Sequence, residues 1–159
     1  MHARSTITLA LAAGALAASF MSAVAQTRSA TDYPTVADLM NALIQPRHAK
    51  LGLAGAQPNW PLAAFAVHEL KQSFDNIAKI HKTYRGLSVP DMIDSTIGEP
   101  IHGVFLAIQA KDAKKFADSY GKLTAGCNNC HEATNNPFIV IKAPDRSEFP
   151  NQDFAPAKP

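Results

Sequence analysis

Cysteine is scarce in this chain: there are two among 159 residues, three positions apart. Thiols that close constrain almost no loop, so a small fold stapled by disulfides is excluded. A charge of one sign is missing too. Fifteen Lys and Arg stand against 13 Asp and Glu, which excludes binding driven by bulk positive charge and makes nucleic acid a poor partner. Beyond residue 25 no apolar run approaches the roughly 20 residues of a membrane span, and no internal repeat or low-complexity tract breaks the chain.

The N-terminus has the three-part layout of a secretory signal. A short polar start carries Arg4, an apolar stretch runs from Ile7 to Met21, and Ala23-Val24-Ala25 precedes Gln26 as an A-x-A cleavage site. The apolar stretch is too short and too rich in alanine for a comfortable span. Residues 1–25 are therefore expected to be removed on export to the periplasm. The mature chain of 134 residues, with 14 basic and 13 acidic side chains, suffices for one domain with a real core.

Apolar residues then recur at helical spacing, which predicts an all-α protein. Val36, Leu39, Met40, Leu43 and Ile44 share one side of a first helix over 33–44, and Pro46 is expected to interrupt it. A short apolar stretch, 48–55, follows as a kinked extension or a separate turn. Asn59 caps a second helix, with Pro61 in its first turn and Leu62, Ala66, Leu70, Phe74 and Ile77 as its stripe before Gly86 stops it. A weaker region covers 91–97. Pro100 starts a third helix with Ile101, Val104, Phe105 and Ile108 inward, and Asp112 caps a fourth whose inward positions are Phe116, Tyr120, Leu123, Cys127, Cys130 and His131. The expected architecture is a four-helix domain over 26–133. From residue 134 periodicity stops, and five prolines (137, 144, 150, 156 and 159) exclude regular helix. Residues 134–159 are expected to form an extended tail, with the apolar run Phe138-Ile139-Val140-Ile141 packed against the bundle.

Cys127-Asn128-Asn129-Cys130-His131 is the strongest chemical signal, because C-x-x-C-H is the attachment signature of c-type haem. Two thiols one helical turn apart reach the two vinyl groups of one haem edge, and the adjacent imidazole reaches the iron. A thioredoxin-type pair would instead open a helix after a strand. A structural zinc site would need four ligands, and no third cysteine or tightly spaced histidine pair is present among His48, His68, His81 and His102.

An exported chain of this length, with four helices and one C-x-x-C-H near the end of the last, resembles the cytochrome c-prime family and its methionine-ligated low-spin relatives. The resemblance covers about residues 34–133; the Pro46 break and the tail beyond Asn135 depart from it. It implies a four-helix bundle with one covalent haem c near the C-terminal end of the last helix. Cys127 and Cys130 would be the thioether sites and His131 the proximal iron ligand. Redox partner proteins and homodimerisation through the first two helices are further implications.

The sixth iron position separates two functions. A methionine there raises the reduction potential and suits electron transfer; an open position admits gases such as NO or CO. Without the signal only Met40 and Met92 remain. In an up-down-up-down bundle the end of the fourth helix is level with the start of the first, which favours Met40 as distal ligand, and the same helix position supplies the distal residue in the resembling family. His48, eight residues or about 12 Å further along the axis, is expected to lie off the haem level. Arg47, His48 and Lys50 read as a basic cluster on a solvated face or beside a haem propionate, with Arg85 an equal candidate. Lys111, Lys114, Lys115 and Lys122 offer an acidic partner a docking patch or form a plain charged exterior. The expected function is one-electron transfer, with five-coordinate gas binding as the alternative; no substrate chemistry is expected, because no His or Arg is clearly placed to help cleave a peroxide.

Overall fold

Thr35 and Asp38 start the first helix with a reciprocal cap: the Asp38 amide donates to Thr35 Oγ1 at 3.1 Å and the Thr35 amide donates to Asp38 Oδ2 at 3.0 Å. The computed structural model describes residues 33–158; the expected export signal lies outside them. Helix α1 (Val36–Leu39) runs through a π-helical turn, Met40–Ile44, into α2 (Gln45–Ala56). The expected interruption at Pro46 is thus replaced by a continuous rod. The Gln45 amide bonds to the Met40 carbonyl, five residues back, which shifts the ladder by one residue just ahead of the ring that lacks a donor.

Helix α3 (Trp60–Ile80) begins at Asn59, whose side chain accepts from the Leu62 amide. It ends six residues before Gly86, where a small hairpin intervenes. Strands β1 (Thr83–Tyr84) and β2 (Leu87–Ser88) pair antiparallel across Arg85 and Gly86, both at positive φ (50° and 81°), the backbone a two-residue hairpin turn demands. The third rod repeats the first: α4 (Val89–Ile93), a π-turn Asp94–Gly98, then α5 (Glu99–Gln109) with Pro100 in its first turn. The region read as weak is therefore helical. Helix α6 (Ala113–Ala133) starts where Asp112 Oδ1 accepts from the Lys115 amide at 2.9 Å.

Connections of a few residues make successive rods antiparallel neighbours. Helix α2 packs on α3, α3 on α5, α5 on α6, and α6 back on α2, so the ring of four closes. Every rod sends at least one fully buried side chain to the centre: Leu51, Leu70, Ile77, Val104 and Leu123. Phe105 departs from expectation and is 43% exposed, since it follows Val104 by one position and faces about 100° away. The all-α expectation holds, and among the described residues no helix is long and apolar enough to cross a membrane.

Past α6 the described residues have neither helix nor strand. It runs back along the bundle to the start of α3, where Phe154 is buried and the Asn59 side-chain amide donates to the Phe154 and Ala155 carbonyls at 3.2 and 2.9 Å. On the way Lys50 lies 4.8 Å above the Phe149 ring.

Candidate functional site

Both cysteines, His131, Met40 and Met92 line one cavity of about 170 Å³, to which Phe74 of α3 also contributes. Its wall is largely apolar, with Val36, Ile44, Val89, Ile93 and Ile97 among the lining residues. The Met40 side chain leaves the helix at the first residue of the π-turn, and Met92 stands just before the second π-turn. π-Turns often occur at functional sites. Here they flank the cavity on two sides.

Gly126 explains how α6 comes close enough. A Cβ built on it would collide with the Thr96 carbonyl oxygen in the second π-turn, so only glycine lets the backbone ahead of Cys127 touch that turn. Cys127 is buried and Cys130 half-buried, both as free thiols. Burial, then the neighbouring Cys130, pushes the Cys127 thiol up to about 12, and burial pushes Cys130 up as well. Reactive dithiols have lowered values. These two are thus unsuited to thiol exchange as they stand, and among the described residues no three His, Cys, Asp or Glu side chains converge as a metal site.

The end of α6 sets the orientation of His131. Asn135 adopts φ +57°, a left-handed residue that terminates the helix, and the Asn136 amide returns to the His131 carbonyl at 2.7 Å. Arg85 Nη1 holds this reversal by donating to the Thr134 and Asn135 carbonyls at 3.0 and 3.3 Å. Arg85 is thus committed to the backbone. The reversed chain brings the Ile139 carbonyl to 2.8 Å from His131 Nδ1. A carbonyl only accepts, so Nδ1 donates to it, and a neutral ring then keeps its lone pair on Nε2.

The run Phe138 to Ile141 differs from its expected burial. Phe138 and Val140 are 78% and 72% exposed, whereas Ile139 and Ile141 line the cavity. In an extended segment alternate side chains face opposite ways, so half of an apolar run can be used while half stays out.

His48 is the residue that sequence reasoning misplaced. It is only 3% exposed and lines the same cavity as Met40. Residues of a π-turn rotate less per step than the 100° of an α-helix, so eight residues from Met40 come nearer to two whole turns and the two side chains share a face. The ring stacks on Tyr120 with centroids 4.7 Å apart. Its Nδ1 lies 3.0 Å from the Tyr120 hydroxyl, which also donates to the His48 carbonyl at 2.8 Å, and its Nε2 lies 3.0 Å from Thr124 Oγ1. Burial lowers the His48 pKa to about 4 and raises that of Tyr120, so both are neutral in this network at pH 7. Several of the remaining basic residues are engaged away from the cavity lining. Arg47 pairs with Glu69 at 3.3 Å and donates to Ser73, while Lys114 and Lys115 pair with Asp118 and Asp112. His81 is outside the cavity lining and bonds to the Pro34 carbonyl at 2.9 Å.

Comparison with protein-family models, with curated proteins and with solved structures found no match to this chain.

Proposed function

We propose that this protein is an exported, periplasmic c-type cytochrome with one covalent haem, carrying single electrons between redox partner proteins. What carries the reading is the tautomer of His131. The residue that C-x-x-C-H designates as proximal ligand has Nδ1 engaged by a backbone carbonyl, which in a neutral ring leaves Nε2 as the ligating nitrogen, the arrangement usual for metal-ligating histidines. The donor set around it fits the group. Cys127 and Cys130 would form the thioethers, and Met40, which lines the same cavity from the first rod, would be the distal ligand, with Met92 next in line.

Haem c, when bound, supplies an iron that cycles between ferric and ferrous states. The chain's own residues shape what that iron can do. The cavity wall is largely apolar, and methionine ligation would favour the ferrous state. His48 is unsuited to peroxide cleavage although it lines the cavity, because Tyr120 and Thr124 occupy both ring nitrogens. No substrate chemistry is therefore assigned.

A five-coordinate, gas-binding haem protein of the c-prime type is the second reading, favoured by the aliphatic lining at Val36, Ala37 and Ile44 beside Met40. Mass spectrometry of the exported chain tests the shared premise: one added haem and loss of residues 1–25 are expected, and an unmodified mass refutes both readings. Visible spectra of oxidised and reduced protein, with and without CO, separate them. A methionine-to-iron charge-transfer band that disappears in Met40→Ala supports the electron carrier, whereas high-spin ferrous haem that binds CO readily supports gas binding.

A further inference from the structure

The thioether chemistry of C-x-x-C-H uses only its cysteines and histidine, so the two residues between need have no particular side chain. In this chain they are both asparagine and they behave differently. Asn129 is exposed, while Asn128 is half-buried and uses both ends of its amide on one residue of the tail. Its Nδ2 donates to the Ile141 carbonyl at 3.0 Å, and its Oδ1 accepts from the Ile141 amide at 2.7 Å. The side-chain amide thus pairs with Ile141 as a neighbouring strand would. Two residues upstream, the Ile139 carbonyl accepts a hydrogen bond from His131 Nδ1. The upstream end of the segment is tied separately, by the Ile139 amide to the Asn136 carbonyl at 3.0 Å.

Burial holds only part of this segment: Ile141 packs on the core, while Phe138 and Val140 are solvent-facing and Ile139 is 43% exposed. Hydrogen bonds hold the rest, and the downstream ones come from Asn128. We infer that Asn128 is a positioning residue for the proximal ligand: by pinning Ile141 from within the attachment motif, it sets the Ile139 carbonyl on His131 Nδ1 and so fixes the tautomer and basicity of the imidazole that faces the iron. The inference rests on the haem reading for its consequence at iron, though not for its geometry. A hydrogen bond at Nδ1 makes Nε2 a stronger donor, which stabilises ferric over ferrous iron. Loosening the pin raises the reduction potential.

The experiment compares wild type with Asn128→Ala, which removes both bonds, Ile141→Pro, which removes the amide donor together with the Ile141 side chain on the cavity wall, and Asn129→Ala as a control in the same motif. The reduction potential and the solvent exchange of the His131 Nδ1 proton are measured on each exported mature chain. The expected result is a higher potential in Asn128→Ala and Ile141→Pro, with the Nδ1 proton exchanging about tenfold faster, and no change in Asn129→Ala. Two variants with the wild-type potential and exchange rate overturn the proposal, as does an equal shift in Asn129→Ala. If the wild-type chain carries no haem, the haem reading fails by itself. The Nδ1 proton then still reports the pin, and protection in wild type lost in Asn128→Ala supports it, while equal exchange in both overturns it.

Discussion

Acid should unfold this protein through His48 more than through any surface charge. Burial holds its imidazole at a pKa of about 4 instead of 6.5, so the ring is neutral in the fold down to about pH 4 while the unfolded chain takes up a proton below pH 6.5. Stability is therefore fully present above pH 6.5 and falls by up to about 1.4 kcal/mol for each pH unit between 6.5 and 4. Across that window the loss is about 3 kcal/mol, a large fraction of the roughly 5–15 kcal/mol that holds a domain of this size together. Urea unfolding at pH 7, 6, 5 and 4, on wild type and on His48→Gln in the same state of haem loading, reads this term. Glutamine keeps a donor and an acceptor in the cavity but has no proton to gain, and the carboxylates common to both proteins cancel. Wild type should lose about 3 kcal/mol more than the variant between pH 7 and 4. Parallel losses would show that the buried ring is not what makes the fold acid-sensitive.

Two packing predictions follow from the same structure. Gly126→Ala should destabilise the fold by about 1–3 kcal/mol and open the contact between α6 and the second π-turn, because the obstacle is the Thr96 backbone and not a side chain that can move; a urea midpoint equal to wild type would contradict that close approach. Leu123→Ala, at a site with no exposure at the centre of the ring of helices, should cost about 2–5 kcal/mol, and a loss below about 1 kcal/mol would mean that Leu123 is not in the shared core.

Much of the architecture is legible because helical periodicity is local. Apolar stripes at i, i+3 and i+4 mark the rods, and Asn59 and Asp112 mark two helix starts through their own side chains, as the structure bears out. Pro46 misleads for the same reason. A local rule treats proline as a break, whereas the π-turn ahead of it lets the helix continue, with the Gln45 amide bonded five residues back to Met40. The Asn135-Asn136-Pro137 run signals a reversal after α6, yet nothing in it tells where the returning chain will lie.

The sequence alone determined the helical class, the pairing of Cys127 and Cys130 one turn apart, and the placement of His131 beside them, since each depends on spacing within one helix. Tertiary structure alone decided which side chains meet across helices. His48 belongs to the cavity because α2 and α6 bring Tyr120 and Thr124 onto both its nitrogens. Asn128 meets Ile141, and His131 meets Ile139, because the chain turns back at Asn135. Those partners lie eight to 76 residues apart. No periodicity encodes such pairs; they form only where packing brings the segments together and buried polar groups must find partners.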